Sequence, residues 1–254
     1  MYIDTHCHLD FPDFNEDREI LLKNSKKDNL YSIINVGTNL SSSVYSVELA
    51  SRYDLVKAVV GVHPSEAQDF EPSIMKGICE LAKNNKVVGI GETGLDYYRG
   101  KNSAEKQKEL LRRHIQLAGM LNLPLVVHQR DSRDELIDIF EKEQLPSKVV
   151  FHCFGGDKIM AEYCSKKGFY VSFTGIITFR KADDIREVCL EYPIERIMAE
   201  TDSPFLSPVP YRGKRNDPSK VRYVVEKIAE IKGGNLKSLR EMILVNSKKF
   251  FNIV

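Results

Sequence analysis

Residues 86–92 read KVVGIGE, a near-continuous apolar run that closes on a carboxylate. A strand buried on both faces carries such a run, and strands of that kind belong to parallel sheets covered by helices. Seven further runs share its character: YID (2–4), YSIINVG (31–37), VKAVVGVH (56–63), LPLVVH (123–128), KVVFHCF (148–154), FYVSFTG (169–175) and RIMAETD (196–202). Amphipathic stretches separate them. The clearest, SAEKQKELLRRHIQLAGML (103–121), puts Leu110, His114, Leu117 and Leu121 on one stripe, with Leu111, Ile115 and Ala118 beside it and Ser103 at the N-cap position. Other helices are expected near 16–28, 41–53, 71–84, 132–144, 156–167 and 181–191, with two more after 217 broken at the Gly-Gly of KGGN. Strand and helix alternating eight times is the pattern of an α/β fold, the (β/α)8 TIM barrel, whose active sites lie at the C-terminal ends of the strands. A doubly wound open sheet is the rival arrangement. No composition shift or Pro/Ser-rich linker divides the chain, so residues 1–254 are expected to form one domain.

The polar residues break this pattern in one place only. His6, His8, His63, His128 and His152, five of the six histidines, fall at or just beyond the carboxyl end of an expected strand, and Glu92 and Asp202 close two strands in the same way. Strand ends make up about a sixth of such a chain, so scatter would put roughly one histidine there. In DTHCHLD (4–10), strand alternation sets His6 and His8 on one face and turns Cys7 away. Glu92 needs a cation beside it, because an isolated carboxylate in an apolar site costs several kcal/mol. Four histidines and two carboxylates exceed what one ion with an open position uses. Two divalent ions about 3.5–4 Å apart, with Glu92 as the natural bridge, would use all six. Imidazole and carboxylate without thiolate suit Mg²⁺, Mn²⁺ or Zn²⁺ and do not choose among them.

The remaining candidates are less tightly specified. His63, set apart in GVHPSE, either completes the metal shell or meets substrate, and substrate is the favoured reading; His114, mid-helix on the apolar stripe, is expected to pack. Asp4 and Glu200 share a face with His6 and Asp202, either orienting these ligands or serving as polar contacts of the barrel interior. The basic stretch YRGKRNDP (211–218) follows the loop after the last strand, where TIM barrels often bind phosphate. Arg212, Lys214 and Arg215 would form an anion clamp there, with Arg130 and Arg99 as possible additions. Tyr97, Phe154, Phe205 and Tyr211 stand close by in sequence, where a base could stack on them.

Composition narrows the classes. Thirty-seven Lys and Arg against 36 Asp and Glu give a formal charge of +1, so nucleic acid would be held by a local basic patch and not by bulk charge. Five cysteines without a CxxC pair suit reduced thiols in a cytoplasmic protein. No basic-then-apolar leader opens the sequence, and no run approaches the roughly 18 apolar residues of a membrane span. A soluble cytoplasmic protein without membrane contact or an obligate protein partner is the expectation.

Taken together, DTHCHLD, GVHP, GIGETGLDYY, LPLVVHQRD, VFHCF, ETDSPFL, RGKRNDP and the closing NSKKFF resemble the TatD-type deoxyribonucleases, among the amidohydrolase-like metal hydrolases. The resemblance covers essentially the whole chain. It implies a (β/α)8 barrel with two divalent ions, one held by His6, His8, Glu92 and Asp202 and the other by Glu92, His128 and His152. It further implies two-metal activation of water to hydrolyse DNA phosphodiesters, as a 3′-to-5′ exonuclease preferring single strands, with His63 and the arginine-rich loop meeting phosphate. Asp202 is then the expected general base. Tyr211 and Asp217 stand where many relatives have histidine and glutamate, a difference that touches substrate contacts. Two rival functions share these residues: an ester hydrolase of D-aminoacyl-tRNA on the same barrel, and a nucleic-acid-binding protein with structural metals.

Overall fold

The computed structural model describes residues 1–25, 27–100, 103–155 and 157–253. Lys26 and Gly156, inside the expected helices 16–28 and 156–167, lie outside the described residues. In chain order the elements are β1 (Tyr2–Cys7), α1 (Arg18–Ser25), β2 (Leu30–Val36), α2 (Leu40–Arg52), β3 (Val56–Val60), α3 (Pro72–Leu81), β4 (Val87–Asp96), α4 (Tyr97–Gly100) and α5 (Ala104–Leu121). They continue with β5 (Leu125–Arg130), α6 (Arg133–Lys142), β6 (Val149–Phe151), α7 (Lys158–Lys167), β7 (Tyr170–Phe173), α8 (Asp183–Glu191), β8 (Ile197–Ala199), α9 (Val221–Lys232) and α10 (Leu236–Phe251). The strands join one eight-stranded sheet in the sequential order β1 to β8. That order is the (β/α)8 arrangement; a doubly wound sheet would reverse at a switch point. Among the described residues no helix is long and apolar enough to cross a membrane.

The chain divides into two compact units, and residues 36–152 form one of them. Here β4 is the central strand, and it runs four residues past Glu92 because Gly94 and Asp96 still pair with His128 and Arg130 of β5. Between the paired Ile90 and Thr93, Gly91 and Glu92 oppose the single residue Val126 of β5, a bulge that re-aims the side chain at Glu92. Gly94 has φ +148°, and a Cβ there would run into the His128 carbonyl oxygen, so the close approach of β4 to β5 requires glycine. Helix α5 buries Leu110, Leu111, Ile115, Leu117 and Ala118, the face read from its periodicity. Ser103 occupies its N-cap position but caps no backbone N–H; the Ser103 hydroxyl accepts from Gln107 Nε2 at 3.1 Å. His114 is fully buried on the same stripe, and packing is only part of its role. Its Nε2 accepts from Val62 N at 3.1 Å while Nδ1–H donates to Leu110 O at 2.8 Å, so the helix pins the segment just after β3. Desolvation drives the His114 pKa down to about 4, which keeps the ring neutral.

Residues 1–35 with 153–254 form the other unit. Strand β1 also carries a bulge, Thr5 and His6 opposing the single residue Ile34 of β2 between the paired Asp4 and Cys7. Strand β8 stops at Ala199, three residues short of Asp202, where the apolar run suggested a longer strand. The reason is a change of partner. Glu200 N still donates to Phe173 O of β7 at 3.1 Å, but Asp202 N donates to His6 O at 2.9 Å and His8 N to Ser203 O at 2.8 Å. An isolated parallel bridge, Cys7 to Ser203, completes the switch, so the continuation of the last strand lies along the first. Helices α9 and α10 cover this side with Val221, Val224, Ile228, Ile243, Phe250 and Phe251, all buried.

Candidate metal centre

Four expected ligands or substrate contacts meet in the unit spanning 36–152. Glu92 Oε1 lies 2.7 Å from His152 Nε2, 2.9 Å from His128 Nδ1 and 3.5 Å from His63 Nε2. His63, expected at the substrate, therefore stands in the same cluster as Glu92 and His128, with ligand atoms within 4.8 Å of one another. Its ring is fixed from behind, since Nδ1 accepts from Ser65 N at 3.1 Å. Desolvation lowers the His63 pKa to about 4 despite the nearby Glu92 charge. Burial alone would raise the Glu92 carboxyl, yet the surrounding imidazoles of His152, His63 and His128 hold it well below the ordinary carboxylate range. An ionised Glu92 ringed by imidazole nitrogens is prepared to bind a cation.

Asp96, which the sequence reading did not single out, stands behind this cluster. Its Oδ2 accepts from His128 Nε2 at 3.1 Å, which leaves His128 Nδ1 facing Glu92. Such a carboxylate fixes the tautomer and angle of a ligating ring and raises its basicity. Asp96 is itself anchored: Oδ1 accepts from Arg99 N at 2.9 Å, and its own N–H donates to Gln107 at 2.8 Å. Burial works against its ionisation, but the His128 and Arg99 hydrogen bonds prevail and bring its pKa to about 2. Conversely, burial would depress His128, and the hydrogen bonds to Asp96 and Glu92 raise it. The sequence signal was available: Glu92, Gly94 and Asp96 are two apart on one strand face, with the side chain between them reduced to hydrogen.

His6, His8 and Asp202 meet in the other unit. His6 Nε2 and His8 Nε2 are 3.3 Å apart, and Asp202 Oδ1 lies 3.4 Å from His8 Nε2 and 3.9 Å from His6 Nε2. Cys7 turns away as strand alternation requires, its thiol against Ile34 O. Asp202 sits at φ +54°, a left-handed conformation that side chains other than Gly, Asn and Asp rarely accept, and this turn brings its carboxylate to the histidines. Behind it, Asp4 accepts from Thr201 N at 2.8 Å and from the Thr201 hydroxyl at 2.5 Å. Glu200 accepts from Cys153 N at 2.6 Å. Both buried acids thus brace the segment that carries Asp202. Complete desolvation raises the Asp4 carboxyl far above its ordinary value, the Thr201 hydrogen bonds notwithstanding.

The basic candidates scatter by comparison. Arg215 makes a bidentate ion pair with Asp17 and donates to Asp13 O at 2.6 Å, so it fastens the loop to the N-terminal segment. The Arg212 guanidinium lies 3.7 Å over the Phe179 ring, and Lys214 is exposed. Arg130 lies 3.8 Å over the ring of Tyr98. Of the four aromatic candidates, Phe154 is buried at 5% exposure and Tyr211 bonds Tyr223 through its hydroxyl, whereas Phe205 is 51% exposed.

Donor chemistry fits a metal, and so does the spacing of three donor pairs, while Glu92 Oε1 stands at hydrogen-bond distance from His152 and His128. A tetrahedral ion with bonds of roughly 2.05 Å sets its ligand atoms ~3.3 Å apart. His6–His8 and His128–His152 each show 3.3 Å between ring nitrogens, and His8–Asp202 shows 3.4 Å. No thiolate or ammonium enters either set, so hard or borderline divalent ions are favoured.

The comparisons agree. Residues 3–252 match the family model of TatD related DNase. The metal-dependent hydrolase YabD of Bacillus subtilis is 38% identical over the full length of both chains. The metal-dependent hydrolase YcfH of Escherichia coli K12 is 37% identical over 99% of this chain and 96% of its own. The crystal structure of YjjV, a TatD homologue from Escherichia coli K12, superposes with a TM-score of 0.94 at 28% identity, covering 100% of this chain and 98% of that one. With the fold, the imidazole–carboxylate clusters and these likenesses in agreement, the chain belongs to the TatD-related DNase family of TIM-barrel metal-dependent hydrolases.

Proposed function

We propose that the protein hydrolyses DNA phosphodiester bonds and removes nucleotides from the 3′ end of single strands. The observation that carries this reading is the trio of imidazole nitrogens around one oxygen of an ionised, buried Glu92. In this reading His6, His8, Glu92 and Asp202 would hold one divalent ion and Glu92, His128 and His152 a second, with Mg²⁺, Mn²⁺ and Zn²⁺ all compatible with the donors. When bound, the ions lower the pKa of water and neutralise charge on the phosphate oxygens. Asp202 takes the proton from the attacking water, its carboxylate being the more exposed of the two at 16% against 4% for Glu92. Arg130, Arg212 and Lys214 bind the phosphate backbone and offset the charge that grows there, while Arg215 holds the loop in place. His63 supports the Glu92 cluster from the side and remains a neutral hydrogen-bonding group for phosphate.

The test uses metal-stripped protein and 5′-labelled single-stranded DNA, with Mg²⁺, Mn²⁺ or Zn²⁺ added in turn, beside Glu92→Ala and Asp202→Asn proteins. A metal-dependent ladder that shortens from the 3′ end and is missing in the Glu92 variant is the expected result. No nucleotide release with any ion, from folded protein that binds metal, overturns the nuclease reading and directs attention to ester bonds of aminoacylated tRNA. Full activity of Asp202→Asn overturns the base assignment alone.

A further inference from the structure

A short ladder of rings leads outward from His8. Phe11 stacks on the His8 imidazole with centroids 5.0 Å apart and planes 26° from parallel, and Phe205 meets Phe11 edge-on at 5.8 Å. The last ring of the ladder is also its most exposed, at 51%. Its backbone, however, is held firmly. Phe205 N donates to Asp202 O at 2.9 Å, and the fully buried Asn216 donates through Nδ2 to both Phe205 O (2.7 Å) and Thr201 O (3.0 Å). Phe11 is pinned in the same manner, with Arg18 donating to Phe11 O at 3.1 Å and to Leu9 O. A flat ring set on fixed backbone loses little freedom when something stacks on it.

A positive group stands on the same framework. Asn216 N donates to Pro204 O at 3.0 Å and Ser207 Oγ to Lys214 O at 2.7 Å, so segments 204–207 and 214–216 run side by side. Phe205 and Lys214, with its ammonium, are both exposed on these segments. Among the described residues that ammonium makes no ion pair. An exposed aromatic face at the end of a ring ladder that starts on His8, on segments that also carry an exposed lysine, suits a nucleotide: the base stacks on the ring and a phosphate of the strand pairs with the lysine.

We propose that Phe205, supported by Phe11, is a base-stacking platform for a nucleotide flanking the scissile phosphate of a single-stranded DNA. The inference rests on the nuclease reading above and adds to it the means by which the strand end is held. It predicts sequence tolerance, since every base offers a face to the ring, and a preference for unpaired ends, since a paired base is already stacked.

The experiment measures binding of the metal-loaded protein, by fluorescence anisotropy, to labelled single strands whose terminal linkages are hydrolysis-resistant phosphorothioates. One strand is intact, and two others lack the base on one or the other side of the scissile linkage. Phe205→Ala is expected to weaken binding of the intact strand roughly tenfold. Removing the base on the stacked side should weaken wild-type binding by a similar factor, with no further loss when that strand meets Phe205→Ala. Phe205→Tyr keeps the ring and should restore wild-type discrimination. An unchanged affinity in Phe205→Ala, or an equal loss on intact and abasic strands, overturns the platform. Wild-type protein is run in parallel on an ordinary phosphodiester strand. If it shortens that strand while Phe205→Ala discriminates as wild type does, only the platform fails; if it neither binds nor shortens any strand, the nuclease reading fails and takes the platform with it.

Discussion

Two regions supply metal-type donors, and they are built in opposite ways. The Glu92 cluster is assembled from strand and strand-end residues that hold one another through side chains: three imidazoles on one carboxylate oxygen, with Asp96 behind His128. The His6–His8–Asp202 cluster is assembled by backbone, since Asp202 reaches the histidines through a left-handed turn and a hydrogen bond to His6 O. Regular strands can aim residues only where alternation points them. Bulges in β4 and β1 and a turn after β8 depart from regular alternation next to these donors.

The contrast can be broken most completely at Glu92. Glu92→Ala removes the oxygen that three imidazoles share, and activity should fall by well over the ~100-fold typical of changes outside the ligand set. Initial rates on single-stranded DNA check this, with circular dichroism showing that the chain still folds.

Acid should attack the Glu92 region through His114 as well. The ring is neutral in the folded protein with a pKa of about 4, against an ordinary value near 6.5 in the unfolded chain. Between these values the unfolded chain binds the proton and the folded one does not. Stability from this site is therefore complete above pH ~6.5 and declines as pH falls toward 4, by roughly 3 kcal/mol in all. Urea unfolding of wild type and His114→Gln across that range should show the difference in slope, and parallel slopes would refute the assignment.

Asp96→Ala sharpens the comparison, because it removes support from the proposed ligand His128 while leaving every proposed ligand in place. Metal affinity should fall about 10- to 100-fold. Competition with a fluorescent chelator measures it without reference to turnover. The corresponding change in the other region, Thr201→Val, deletes one donor to buried Asp4. It should cost about 1–2 kcal/mol of stability, read as a shift in the urea midpoint. A larger effect of Thr201→Val on metal affinity than of Asp96→Ala would reverse the distinction between backbone-built and side-chain-built sites.

Eight apolar runs, each ending near a polar residue, made the barrel legible in the sequence, because a helix-covered parallel sheet is what buries so many short strands on both faces. Strand starts and helices such as α5 follow from the same periodicity. Strand ends were less legible. β4 continues through ETGLD, where glycine and polar residues conceal a strand, and so Asp96 escaped notice. β8 ends early because its continuation exchanges β7 for β1, a partner nearly 200 residues away. Distance in sequence also hid the partner of Arg215. The loop read as an anion clamp, but Asp17, whose presence beside it only the folded chain reveals, takes that guanidinium. Phe11 became visible as part of a ring ladder for the same reason.

The pairing of residues 202–203 with β1 has a consequence for the order in which the protein becomes competent. The ribosome delivers His63, Glu92, His128 and His152 by residue 152, so every member of that donor set is present 50 residues before Asp202 is made. His6 and His8 appear first of all, yet their carboxylate arrives 194 positions after His8. From residue 8 until residue 202 is made, the two histidines lack that carboxylate. The His6–His8–Asp202 donor set is thus a property of a chain made at least to residue 202, and a shorter nascent fragment carries only its two histidines.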